Sequence, residues 1–321
     1  MAGGQGARLR PLTSNQPKPM LPIVGQPMMQ HIIRLARHHG FTELVATVHF
    51  LASVVRNYFG DGSDLGVSLS YATEEEPLGT AGSVRNARPL LDDRFIVLSG
   101  DALTDIDLTE LVRIHEARGA AVTVTLKRVE NPLEFGIVIT DEEGRVERFL
   151  EKPGWGDVFS DTANTGIYVI EREVLDFVPE GSEFDFARDL FPLLLEKGLP
   201  IYGYISDRYW TDVGTLDAYM EVHRDVLDRK VQVEMEGFEI RDGVWLGEGG
   251  QVDPNAQVQG PAYIGENTRI EGGVILRSHT VLGRGNIVRN GAFLHRCVVQ
   301  HCDAKRRLLG GECQLGRQHR A

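Results

Sequence analysis

The chain has 321 residues, 42% of them hydrophobic and 25% charged, enough to bury one large core or a core plus a smaller second domain. Its formal net charge of -12 argues against a nucleic-acid partner, since phosphate backbones are bound through excess Lys and Arg, so any anionic ligand must meet a local basic pocket. No apolar run reaches about 18 residues and no basic-then-apolar leader opens the chain, so a membrane partner is not expected and the cytoplasm is the expected compartment.

The chain opens on "MAGGQGARLRPLTSNQPKPML". It lacks the Gly-Lys-Ser/Thr of a P-loop, and neither Gly4 nor Gly6 has a glycine three residues on, so the dinucleotide fingerprint fails too. Glycine-rich backbone with Arg8, Arg10 and Lys18 still describes a phosphate cradle of bare N–H groups and mobile cations, against the plainer reading of a glycine turn with surface basic residues. Segment 26–40 reads as a helix, with Pro27 at its start, Met28, Ile32, Leu35 and Ala36 on one face and Gly40 as a stop. His31, His38 and His39 within it read as surface or helix-end residues and not as ligands. The runs "ELVATV", "VSLSYAT", "RFIVLSGD" and "AAVTVTLK" lie about one helix apart, the signature of a mostly parallel α/β sheet. "GIVITDEEGRVERFLEKP" breaks that alternation and reads as an antiparallel hairpin on the sheet.

A second regime begins near Val244. Leu246, Val252, Val258, Ile264, Ile270, Leu276, Leu282, Val288 and Leu294 recur every six residues without a slip, the pattern of a left-handed parallel β-helix with aliphatic residues inward. The period fails at Gln300, and the basic tail after it is expected to be irregular. Cys297, Cys302 and Cys313, with the nearby histidines, have neither a disulfide framework nor paired zinc spacing, and reduced thiols are expected.

The opening segment resembles the signature of the sugar-1-phosphate nucleotidylyltransferases, and "EEEPLGTAGS", "LSGDALTDID", "FGIV", "FLEKP", "NTGIYVI" and "YWTDVGT" match further family motifs in order, covering the chain from Ala2 to about Thr215. Ala7 stands where a Thr is usual. The resemblance implies a Rossmann-like, mostly parallel mixed sheet over 1–230 followed by the repeat as a short left-handed β-helix over 231–300, and the failure of the period leaves an irregular basic tail over 301–321. It also implies an apolar strand before the glycine loop. The chain opens at what would be that strand's last residue, so an upstream segment or a neighbouring element is expected to fill its place.

The implied chemistry is attack of a sugar-1-phosphate oxygen on the α-phosphorus of a nucleoside triphosphate, expelling pyrophosphate. Asp101, after a strand end, and Asp212 take the role of Mg2+ ligands by resemblance, although Asp101 alone could be a turn residue. Arg8 suits the leaving pyrophosphate as a fixed, always charged fork, and Lys18 supplies a point charge unless it is a solvated loop cation. Ala2, Gly3, Gly4, Gly6 and Gly79 are expected on the nucleotide. Gly136, Glu151, Lys152, Asn164 and Thr165 are expected on the sugar phosphate, with a β-bulge and a turn as the competing readings of Gly136 and Asn164.

Glu74, three positions before the Pro of "PLGTAG", falls where the family faces the nucleobase edge. A carboxylate there can accept from the two adjacent donors of guanine, which favours GTP, with mannose 1-phosphate as the usual sugar of that branch; three consecutive acids forming a solvated loop is the alternative. The expected activity is a mannose-1-phosphate guanylyltransferase, expected to assemble as a homo-oligomer. A glucose-1-phosphate enzyme using UTP, dTTP or ATP, and a silent regulatory or scaffold homologue, are the competing readings.

Overall fold

The computed structural model describes residues 1–4, 6–150 and 160–300, with the backbone of strands Asp303–Ala304, Leu308–Leu309 and Cys313–Leu315. Two compact units result. The first comprises Met1–Gln5, Pro17–Pro19 and Ile32–Asp212, the second Gly6–Gln16, Met20–His31 and Val213–Ala321.

The first unit is an α/β assembly around the ten-residue strand Thr162–Glu171. That strand runs antiparallel to Val122–Arg128, which in turn pairs in parallel with Ile201–Ile205. The pairing with Val122–Arg128 shifts register between Asn164 and Tyr168, and along the strand's other edge the partner changes from Ile137 of one hairpin to the strand Arg94–Val97. The hairpin Ile137–Thr140 with Val146–Leu150 is antiparallel, as its sequence predicts. A further parallel pair, Glu43–Val48 with Ser68–Thr73, stands one helix apart in sequence. Val122, Val124 and Leu126, all fully buried, meet an aromatic group of Tyr168, Phe186 and Phe191 in the core. Helix Leu108–Arg118 is fixed at both ends, by the Asp107 carboxylate accepting from the Glu110 N–H and by Gly119 at φ +56.

Two strand ends converge on the start of the chain. The Ala2 N–H donates to Thr47 O at 2.9 Å, the Met1 amine to Leu98 O at 2.8 Å, and the Gly100 N–H to Met1 O at 2.8 Å. The first residues thus tie the strand Glu43–Val48 to the strand Arg94–Val97, and the glycine segment leaves from that point.

In the second unit the six-residue period becomes three stacked columns of short parallel strands. Leu246 pairs with Ile264 and Ile264 with Leu282; Val252, Ile270 and Val288 stack likewise, as do Val258, Leu276 and Leu294. Ile264, Ile270, Leu276, Leu282, Val288 and Leu294 are buried in one core, with Leu246, Val252 and Val258 packed against it. The period fails at Gln300 because the coils shorten and not because the strands stop. Leu282 pairs with Val299 where a strict repeat would place Gln300, and strands Asp303–Ala304, Leu308–Leu309 and Cys313–Leu315 continue the columns into the span expected to be irregular.

Helix Met28–His38 forms within the segment the periodicity assigned, but His31 is a correction: it is buried, with Nε2 bonded to Ile23 O at 3.0 Å. The helix's first turn folds back over the antiparallel pair Pro22–Ile23 and Gln26–Pro27, which turns that ring inward. From helix Leu216–Leu227 the Tyr219 hydroxyl donates to Pro22 O, and His223 Nδ1 accepts the Val24 N–H at 3.2 Å. Among the described residues no helix is long and apolar enough to cross a membrane.

Candidate active site

Lys18, flanked by Pro17 and Pro19, occupies a short 3-10 turn in which all three residues are buried. The two rings restrict the backbone on both sides of the lysine, so its side chain leaves the turn in a defined direction. Its ammonium donates to Asp101 Oδ2 at 2.7 Å and to Asp212 Oδ1 at 2.9 Å. The solvated-cation reading therefore fails, since the Lys18 side chain is only 7% exposed.

Each carboxylate is placed by local structure. Strand Trp210–Asp212 pairs antiparallel with Ala102–Thr104, and the register sets Asp212 opposite Ala102, next to Asp101. The Ser99 hydroxyl donates to Asp101 Oδ1 at 2.5 Å, leaving Oδ2 for the lysine. Gly100 between them must be glycine, because a Cβ there would lie 2.6 Å from Met1 O. Burial pushes the Asp101 carboxyl up, but the Lys18 charge and hydrogen bond and the Ser99 hydroxyl outweigh it and hold the group below its ordinary value.

The glycine segment lies beside this cluster, with the Lys18 N–H directed at Gly4 O at 3.4 Å. A Cβ on Gly4 would meet nothing within 4 Å, one on Gly3 would make only an ordinary contact with His49, and neither residue has a positive φ. Packing therefore does not demand glycine at either position, which leaves bare backbone open to an approaching ligand. Ala2 is buried, and Gly6 adopts φ +63 in the second unit, where a turn explains the residue. Arg8 also belongs to that unit. It is exposed and has no hydrogen-bond or ion-pair partner among the described residues, on a turn anchored by buried Leu9 and by the Thr13 hydroxyl donating to Gly6 O.

Glu74 is not part of a solvated acidic loop: it is 7% exposed. Its Oε2 accepts the Leu78 N–H at 3.3 Å, while Oε1 is buried with no hydrogen-bond partner among the described residues. A buried carboxylate oxygen without a donor is unfavourable, so Oε1 needs a donor from outside the described residues, such as a water or a ligand. Gly79 has φ +68, and a Cβ there would be 2.7 Å from Phe184 O, so protein packing alone demands that glycine.

The sugar-side residues divide. The Asn164 N–H donates to Gly136 O at 2.8 Å, which brings those two residues together, and the Asn164 side chain closes a turn on the Gly166 N–H. Thr165 is 3% exposed, with its hydroxyl donating to Thr125 O, so that side chain faces the sheet and not an incoming sugar. Glu151 and Lys152 lie outside the described residues.

The nucleotidyl transferase family profile matches residues 1–229. The chain belongs to the nucleotidyl transferase family. It is 38% identical over 315 residues to the UTP–glucose-1-phosphate uridylyltransferase of Synechocystis sp., covering 93% of this chain and 81% of that protein. It is 38% identical over 295 residues to the mannose-1-phosphate guanylyltransferase of Mycobacterium tuberculosis, covering 86% of this chain and 81% of that one. A Bacillus anthracis crystal structure carrying the name glucose-1-phosphate thymidylyltransferase has the same fold, with a TM-score of 0.64 at 24% identity over 73% of this chain and 95% of that chain.

For a nucleotidyl transferase the Asp101 and Asp212 pair suits Mg2+, which takes one or two carboxylates and completes its shell with phosphate oxygens and water. The Lys18 ammonium already stands as a cation between the two carboxylates, so the donor set fits a positive ion. Sequence reasoning missed Ser99, which orients Asp101; its signal was a hydroxyl residue two positions before a strand-end aspartate. It also missed the Trp210 indole, which donates to Thr165 O at 3.1 Å and ties the Asp212 strand to the Asn164 turn.

Proposed function

We propose that this nucleotidyl transferase moves a nucleoside monophosphate from a triphosphate to a sugar 1-phosphate and releases pyrophosphate, with GTP and mannose 1-phosphate as the substrates. The observation that carries the reaction class is the Lys18, Asp101 and Asp212 cluster, assembled from three distant parts of the sequence beside bare glycine backbone. Asp101 and Asp212 would hold Mg2+, which when bound neutralises phosphate charge. Lys18 and Arg8 attract the triphosphate, Gly3 and Gly4 let it approach the backbone, and Ser99 keeps Asp101 from turning away. Gly136 and Asn164, with Glu151 and Lys152, receive the sugar phosphate. Residues 1–230 carry the transfer, and the repeat at 231–300 serves assembly into a homo-oligomer.

The choice of guanine rests on Glu74, whose buried Oε1 has no donor among the described residues and whose Oε2 keeps a second lone pair beside the Leu78 N–H, so the carboxylate can still accept from two adjacent base donors. Transfer from UTP to glucose 1-phosphate is the second reading, favoured by the Synechocystis relative, and equal identity to the two relatives does not separate them. A pyrophosphate-release assay crossing GTP, UTP, dTTP and ATP with mannose 1-phosphate and glucose 1-phosphate tests both. The highest kcat/KM is expected for GTP with mannose 1-phosphate. A highest value for UTP with glucose 1-phosphate selects the second reading, and no release with any pair, Mg2+ present, refutes the enzyme itself.

A further inference from the structure

Glu74 is oriented by a turn, and the turn is held by a segment more than a hundred residues away. The only donor to the Glu74 carboxylate among the described residues is the Leu78 N–H, and Leu78 O in turn accepts the Phe184 N–H at 2.8 Å. Phe184 O accepts from both the Ala81 and Gly82 N–H groups, at 2.9 and 3.0 Å. The backbones approach so closely that a Cβ on Gly79 would lie 2.7 Å from Phe184 O, and one on Gly82 2.7 Å from Ser182 O. The clasp is locked by side chains: the Thr80 hydroxyl donates to Asp185 Oδ2 at 2.7 Å and accepts the Phe186 N–H at 3.0 Å. Asp185 itself is immobilised, its Oδ1 capping the π-helical turn Phe186–Leu190 through the Ala187 and Arg188 N–H groups.

With its hydroxyl spent on Asp185 and Phe186, Thr80 acts on the turn and not on a ligand. Resting on the reading that Glu74 meets the nucleobase, we infer that Asp185 and Thr80 are positioning residues for base selection. By clasping the Leu78–Gly82 turn to Phe184 they fix the Leu78 N–H, which occupies one oxygen of Glu74 and leaves the other for the base. Loosening the clasp lets the Glu74 carboxylate rotate, so discrimination between bases falls before the rest of the triphosphate site is touched.

The test measures dissociation constants of GTP and UTP by titration calorimetry on the full chain. The variants are Thr80→Val, Thr80→Ser, Asp185→Asn and Glu74→Gln, with Thr80→Val also made in the Glu74→Gln background. Thr80→Val keeps the shape but removes the hydroxyl that joins Asp185 to Phe186. Glu74→Gln is expected to lower the preference for GTP over UTP by about fivefold or more, the worth of one hydrogen bond. Thr80→Val and Asp185→Asn are each expected to lower it in the same direction by about three- to tenfold, while Thr80→Ser keeps the wild-type ratio. In the Glu74→Gln background Thr80→Val should change the ratio no further, because the group it positions has already gone. A merely structural role would lower the melting temperature and weaken both nucleotides equally. If Glu74→Gln moves the ratio while Thr80→Val and Asp185→Asn leave it at the wild-type value, the positioning role is overturned and the base reading survives. If Glu74→Gln itself leaves the ratio unchanged, the base reading fails and the inference falls with it. Should Thr80→Val not fold, Asp185→Asn decides by the same ratio.

Discussion

Replacing Lys18 with Met keeps the apolar stem and removes only the ammonium. In the native site that ammonium lies 2.7 and 2.9 Å from oxygens of Asp101 and Asp212. Without it two carboxylates face each other about 5 Å apart, a repulsion of about 3 kcal/mol at an effective dielectric constant of about 20. Their side chains are 37% and 32% exposed, and solvent screening brings the net effect to about 1 to 2 kcal/mol. The pH dependence follows from Asp101, which burial raises but Lys18 and Ser99 hold below its ordinary value. A carboxyl depressed in the folded state contributes stability that is present above its unfolded pKa of about 3.9 and is lost as pH falls through the folded value. Lys18→Met should therefore be less stable than wild type near neutral pH, and the gap should close below about pH 4 as Asp101 protonates. Urea unfolding at the two pH values measures the gap, and pyrophosphate release should fall about 10²- to 10³-fold. A gap that persists or widens in acid would refute the electrostatic account of this lysine.

Asp212→Ala should abolish pyrophosphate release while moving the melting temperature by no more than about 2–4 °C, since a third-exposed carboxylate contributes little packing; a stable variant with wild-type turnover would remove Asp212 from the site. Gly79→Ala should lower stability by about 2 to 4 kcal/mol in thermal unfolding, because the residue combines φ +68 with a Cβ position 2.7 Å from Phe184 O. An unchanged melting temperature would show that this backbone can yield. Burial, and after it the neighbouring His31, pushes His223 down to about 3 from an ordinary 6.5. The unfolded chain then takes up the proton first, so stability is lost as pH falls from 6.5 towards 3. His223→Asn, whose carbonyl can still accept the Val24 N–H, should flatten that slope in urea unfolding across the same window, and an unaltered slope would exonerate the histidine.

What the sequence disclosed, and what it withheld, follows the range of the interactions involved. The repeat was legible because its signal is local, one aliphatic residue every six, and the same residues line its core. The hairpin at 137–150 was legible because "DEEG" sits between two alternating runs. Lys18, Asp101 and Asp212 were singled out by motif, but that one ammonium bridges both carboxylates depends on a strand register far along the chain. His31 was misjudged because helical periodicity does not reveal what folds back over the first turn. Thr165 looked like a ligand contact because a motif does not say which way a side chain turns at a bulge. That packing requires a glycine at 79 was not legible either, because its partner, the Phe184 backbone, carries no sequence signal at all.

The two bonds of Lys18 join residues 83 and 194 positions apart, whereas neighbouring coils of the repeat bond across 18. Closing the longest of these loops costs about 2 kcal/mol more entropy than closing one coil, so coils can zip while the lysine still lacks its second carboxylate. During synthesis the delay is set by the ribosome. At about 5 to 20 residues per second, Lys18 waits roughly ten to forty seconds for Asp212 to be made. Through that interval the lysine's proline-flanked turn has only part of its native setting, and the nascent chain must keep it from wrong partners until the strand bearing Asp212 arrives.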